Sequence, residues 1–152
     1  MERIASFCVD HNKLDRGIYI SRVDGDIVTY DIRLRKPNIP PFVEVPAMHT
    51  LEHLFATYVR NSVYSDRVIY FGPMGCRTGC YLLLRNMSED KAIELIRDTF
   101  EFIAGYTGEI PGATAIECGN YLEHDLAGAV SEAEKFLPVI ENYTADLLSY
   151  DR

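Results

Sequence analysis

The chain has 152 residues, 47% of them hydrophobic and 25% charged, a balance that suits one folded domain over residues 1–152. Fifteen Lys and Arg against 23 Asp and Glu leave a formal net charge of −8, which argues against nucleic acid or an anionic membrane surface as partner. No apolar run approaches the roughly 18 residues of a membrane span, and Met1 to Asp10 has no basic stretch followed by a long apolar one, so a cytoplasmic protein is expected.

In chain order, residues 17 to 35 read as a hairpin, with Ile18, Ile20 and Val23 before an Asp24-Gly25 turn and Ile27, Tyr30, Ile32 and Leu34 after it. Lys36 to Pro46 is rich in proline and reads as a connecting loop. A helix is expected from Ala47 to Asn61, where Leu51, Leu54, Phe55 and Tyr58 form one apolar stripe. Arg67 to Phe71 and Cys80 to Arg85 read as strands around the break Gly72-Pro73-Met74-Gly75. Ser88 is a candidate cap for a helix running to Ala104. Ile110 to Cys118 is short and mixed, with room for a strand. Asp125 caps a further helix, which Pro138 should interrupt before a last amphipathic helix reaches Leu148. This order favours an α+β fold, two layers with a largely antiparallel sheet covered by helices.

The chemistry concentrates in His49-Thr50-Leu51-Glu52-His53. Residues four apart on a helix stand one above the other, so His49 and His53 share a face with Glu52 at its edge. The pattern is the inverted form of the His-Glu-x-x-His zinc helix. A catalytic divalent metal takes about three protein ligands and keeps one position open, so a third ligand must come from His11, His124, Cys76, Cys80, Cys118 or a carboxylate. Cys118 precedes Gly119 and could be a ligand or an inert buried thiol. Cys76 sits beside Arg77 in a glycine-rich turn, where a thiol can act as base or nucleophile; a bland turn cysteine is the alternative. Cys80 reads as structural.

Taken together, ordered blocks along most of the chain resemble one family, the S-ribosylhomocysteine lyases (LuxS). The blocks are Ser6-Phe7-Cys8-Val9-Asp10-His11, Asp31-Ile32-Arg33 with Pro37-Asn38, His49 to Ala56, Pro73 to Gly79, and Cys118-Gly119 with His124-Asp125. The resemblance implies that His49, His53 and Cys118 bind one divalent metal per subunit, ferrous iron in the cell, with zinc or cobalt able to replace it. It implies acid–base roles for Glu52 and Cys76, and substrate contacts from Ser6, His11 and Arg33. It further implies a homodimer with active sites at the interface, Ser6 and His11 serving the neighbouring subunit's metal. The substrate would be S-ribosylhomocysteine, its sugar carbonyl moving from C1 to C3 before β-elimination of homocysteine, and the fold that of the family. Tyr70-Phe71-Gly72 departs from the family's Asp-Ile-Ser, whose acid would hold the amino-acid end of the substrate. The stretch from His53 to Cys76 is a little shorter, and Glu117 stands where glutamine is common. The competing readings are an inverted-zincin hydrolase, a lyase relative with an altered substrate, and a module whose metal only staples the fold.

Overall fold

The computed structural model describes residues 1–151. Two hairpins make a single antiparallel sheet. Strands β1 (Gly17–Asp24) and β2 (Ile27–Arg33) form the first, and β3 (Val68–Pro73) and β4 (Gly79–Arg85) the second; the order across the sheet is β1-β2-β4-β3. The first turn is centred on Gly25-Asp26, one residue later than expected, because Asp24 still pairs with Ile27.

Side chains alternate across a strand, and the register turns that alternation into two different surfaces. Ile18, Ile32 and Cys80 are aligned on the apolar face, while Tyr19, Asp31 and Tyr81 form the next row and point the other way. Three helices cover the apolar face: α1 (Val45–Arg60), α2 (Glu89–Ala104) and α3 (Leu126–Ile140). Leu51, Leu54 and Phe55 of α1 meet Ile96 and Phe100 of α2, Phe136 of α3 and Tyr30, Ile32 and Leu82 of the sheet in one continuous core. Phe55 stacks on Phe71 at a centroid distance of 3.9 Å. The layered α+β expectation is therefore met, with every strand pair antiparallel.

Several local expectations need correction. Helix α1 begins at Val45 and takes Pro46 into its first turn, where a missing N–H costs nothing. Helix α2 is capped by Ser88 as expected, the serine hydroxyl accepting the Lys91 N–H at 3.3 Å. Residues 110 to 118 form turns and no strand. Pro138 does not divide α3, which runs through it to Ile140; a proline in a final turn breaks little of the remaining ladder. The expected last helix is only a 3-10 turn, Ala145–Leu148. Here Tyr143 intervenes: its hydroxyl accepts the Ile18 N–H (3.0 Å) and lies 2.6 Å from the Ile18 carbonyl, fastening the tail to β1.

Candidate metal centre

The apolar stripe of α1 is locked in the core, so its opposite edge carries His49, Glu52 and His53 as rigid projections. The segment between α2 and α3 folds back over this edge. Its carbonyls meet the two imidazoles: His49 Nδ1 lies 2.8 Å from the Glu123 oxygen, and His53 Nδ1 lies 2.8 Å from that of Pro111. A carbonyl only accepts, so each Nδ1 must carry the proton and each Nε2 is left bare, the form that binds metal. Gly112, at φ +68°, follows the Pro111 carbonyl, and a Cβ there would stand 3.3 Å from His53 Nδ1. The positive φ favours glycine, and a side chain here would also crowd the ring.

The same segment delivers Cys118, whose N–H is bonded to the Thr114 carbonyl at 3.0 Å. Its Sγ lies 3.4 Å from His49 Nε2 and 3.9 Å from His53 Nε2. A tetrahedral centre with metal–nitrogen and metal–sulfur bonds of usual length has an N···S edge of about 3.6 Å. The three side chains thus have the spacing and donor chemistry of a divalent metal site. His124 joins them, and ligand atoms of all four lie within 4.8 Å of one another. Burial, with the neighbouring His49 and His53, lowers the pKa of His124 and favours its neutral form.

A second centre lies on the far face of the sheet. Asp31 and Arg33 of β2 are buried there as an ion pair at 2.7 Å, exposed by only 1% and 3%. Arg33 also donates to Thr78 Oγ1 at 2.9 Å and points at Cys76 Sγ from 4.0 Å, and that sulfur lies 3.1 Å from the same threonine hydroxyl. Burial opposes the guanidinium charge, but Asp31 more than offsets it and raises the Arg33 pKa. Arg77, the cation adjacent in sequence, turns away to the Val43 carbonyl at 3.1 Å. The cation beside Cys76 is therefore Arg33, brought across the sheet by strand pairing.

Ser6, His11, Arg33 and Cys76 line one cavity of about 520 Å³, together with Phe7, Asn38 and Tyr81. Ser6 and His11 thus stand beside Cys76 of their own chain. A larger hollow of about 1260 Å³, between residues 8 to 16 and the C-terminal turn, contains none of these chemical groups except the exposed Cys8. The buried Cys80 thiol, packed on Met48, is pushed up chiefly by burial and then by the charge of Glu52, with Cys76 contributing as well. Cys80 itself is structural, as expected.

The departure at Tyr70-Phe71-Gly72 proves to be self-consistent. Tyr70 is exposed, and its ring lies over Gly72, where a Cβ would come within 2.2 Å of the phenol oxygen. Residues of functional weight that the motif reading passed over are Thr78, which holds both Arg33 and Cys76, and Thr50, which meets His124. Tyr150 is another, donating to Asp31 at 2.7 Å. Thr50 lies inside the histidine motif and Thr78 inside the glycine-rich block, but a threonine hydroxyl carries no signal until its partners are in place.

A bare-nitrogen histidine pair with a thiol completing the donor set, and a separate cysteine held by a buried arginine and a threonine, are what a metal-binding enzyme on an α+β scaffold presents. Residues 4–146 match the model of the S-ribosylhomocysteinase (LuxS) family. The chain is 48% identical to the S-ribosylhomocysteine lyase of Phocaeicola vulgatus, covering 99% of this chain and 98% of that one. It is 46% identical to that of Clostridium acetobutylicum and 48% identical to that of Desulfotalea psychrophila, each over 99% of both chains. The chain belongs to the S-ribosylhomocysteine lyase (LuxS) family.

Proposed function

We propose that this protein cleaves the thioether of S-ribosylhomocysteine to homocysteine and 4,5-dihydroxy-2,3-pentanedione. One observation carries the reading: the ligand atoms of His49, His53 and Cys118 gather within 4.8 Å of one another, and the same chain holds Cys76 against Arg33 and Thr78. The thioether cannot leave until a carbonyl stands next to the carbon that loses its proton, so the sugar carbonyl must first migrate from C1 to C3. A divalent metal on His49, His53 and Cys118 supplies Lewis acidity, making protons on carbon next to the carbonyl easier to remove.

The protons themselves are moved by the chain. Cys76, as thiolate, takes a proton from the carbon beside the carbonyl and returns it one carbon along. Arg33, fixed by Asp31 and Thr78, complements the charge on that sulfur and faces the sugar in the cavity. Glu52 exchanges protons with the sugar oxygens. In the elimination step a proton leaves C4, the C5–S bond breaks with its electron pair going to sulfur, and the sulfur is protonated to the homocysteine thiol. Ser6 and His11 line the ribose side of the cavity. A hydrolase using Glu52 as its base would have no work for a cysteine so placed.

Ferrous iron is the metal we assign, on the family resemblance; imidazole and thiolate would accept zinc or cobalt as well. The working form is a cytoplasmic homodimer. The dimer is supported by exposed apolar side chains: Phe7 at the Cys76 cavity, Ile4 before it in the chain, and Ile116, Tyr121 and Leu122 close to Cys118 in sequence. An N-terminal arm that reaches its own cavity can reach a partner's by exchange, so that Ser6 and His11 serve the neighbouring metal. Protein loaded anaerobically with ferrous iron or cobalt should release free thiol from S-ribosylhomocysteine. Thiol release no greater than in the metal-free control refutes the proposal. Mixing an inactive Ser6/His11 variant with an inactive Glu52 variant should restore activity in re-formed dimers, and no recovery refutes the shared site.

A further inference from the structure

His124 stands in the metal cluster with its Nε2 atom 3.8 Å from Cys118 Sγ, as close as a fourth ligand would be. Distance alone does not distinguish a ligand from a neighbour, but hydrogen bonding does. His49 and His53 have Nδ1 against backbone carbonyls, which force the proton onto Nδ1. His124 Nδ1 instead lies 2.9 Å from the hydroxyl oxygen of Thr50. That oxygen already accepts the Asp125 N–H at 2.9 Å.

Thr50 is fully buried, and among the described residues its hydroxyl has no other acceptor. Were His124 protonated on Nδ1, Thr50 would accept twice and its own proton would be left unpaired inside the protein, at a cost of about 1–3 kcal/mol. With the proton on Nε2 every group is satisfied: Asp125 N–H donates to Thr50, Thr50 O–H donates to His124 Nδ1, and His124 Nε2–H faces the Cys118 sulfur. A protonated Nε2 cannot bind metal. We propose that His124 is a positioning residue that donates a hydrogen bond from Nε2 to the Cys118 thiolate, with its tautomer set by Thr50, and is not a fourth metal ligand.

This rests on the metal site described above and sharpens it in two ways. The fourth position stays open for substrate, as a catalytic centre needs. The hydrogen bond also draws electron density from the thiolate, so the metal keeps more of its Lewis acidity; outer partners of this kind tune metal sites without touching the ion. Thr50 further ties the cluster to the fold, because its hydroxyl also receives the N–H of Asp125, the residue that caps α3.

X-ray absorption and electronic spectra of the cobalt-loaded full chain test the assignment. The wild-type protein should show two imidazole nitrogens and one sulfur at cobalt. His124→Ala should keep that count, bind cobalt about 10–100-fold more weakly, and move the thiolate-to-cobalt charge-transfer band to longer wavelength, because a sulfur without its donor holds its electrons less tightly. Three imidazoles in the wild type, falling to two in His124→Ala, would overturn the proposal, as would a band that does not move. The wild-type count decides the ligand question even if the variant fails to fold. Thiol release by a wild-type enzyme with three imidazoles would sink this inference and leave the lyase reading standing.

Discussion

Replacing Asp31 by Asn removes one charge from a pair that is almost wholly out of solvent. The Asp31 carboxylate accepts from Arg33 Nη2 and from Tyr150, each at 2.7 Å, and among the described residues its second oxygen and Arg33 Nε have no partner. Two unit charges about 4 Å apart at an effective dielectric constant of about 20 attract by about 4 kcal/mol. Breaking a buried pair from one side typically costs about 3–5 kcal/mol, because the other charge is stranded. Against a total stability of about 5–15 kcal/mol, that is a large part of the fold. With a urea slope of about 2 kcal/mol per molar, the unfolding midpoint of Asp31→Asn should fall by about 1.5–2.5 M at fixed protein and metal concentration. The double variant Asp31→Leu/Arg33→Met should recover most of that loss while remaining inactive, since the stranded guanidinium is gone. A single variant that loses less than about 1 kcal/mol would refute the description of this pair as buried and charged.

Other outcomes follow from the same geometry. Cys76→Ala should lower turnover by about 100-fold or more and leave metal content unchanged, whereas Cys118→Ala should lose the metal, both read by metal analysis beside the thiol assay. Gly112→Ala should cost about 1 kcal/mol or more, from its positive φ and its approach to His53, and should weaken metal binding in a competition titration. Tyr30 has a fully buried hydroxyl with no hydrogen-bond partner among the described residues, and burial, with Glu89 adding to it, pushes its pKa up to about 12. A raised folded pKa means stability that is present below pH 10, where the unfolded phenol begins to ionise, and lost as pH rises toward 12. Tyr30→Phe should therefore be as stable as the wild type or more so at pH 7, and should lose about 2–3 kcal/mol less between pH 10 and 12 in chemical denaturation.

The parts of the molecule legible in the sequence are those governed by local periodicity and by strict chemistry. The α1 stripe of Leu51, Leu54 and Phe55 announced both a helix and the edge that carries His49 and His53. Ser88 and Asp125 marked helix starts by their side-chain oxygens, and the structure shows both caps formed. The errors arose where distant contacts overrode a local rule. Tyr143 fastened to Ile18 replaces a final helix with a short turn, and Pro138 is tolerated where the helix is about to end. Within the site, the sequence leaves Arg33 and Arg77 both open as the cation beside Cys76, and strand register selects Arg33. His124 was visible as a candidate residue, but its role depends on a hydroxyl 74 residues away in the chain.

Breaking the thioether requires the His49/His53/Cys118 set and Cys76 to act together. The most direct measurement compares homocysteine thiol released from S-ribosylhomocysteine by anaerobic, cobalt-loaded wild type and by Cys76→Ala carrying the same amount of metal. Continuous thiol release is expected from the wild type and almost none from the variant. Equal release from both, or release by neither, would contradict this expectation.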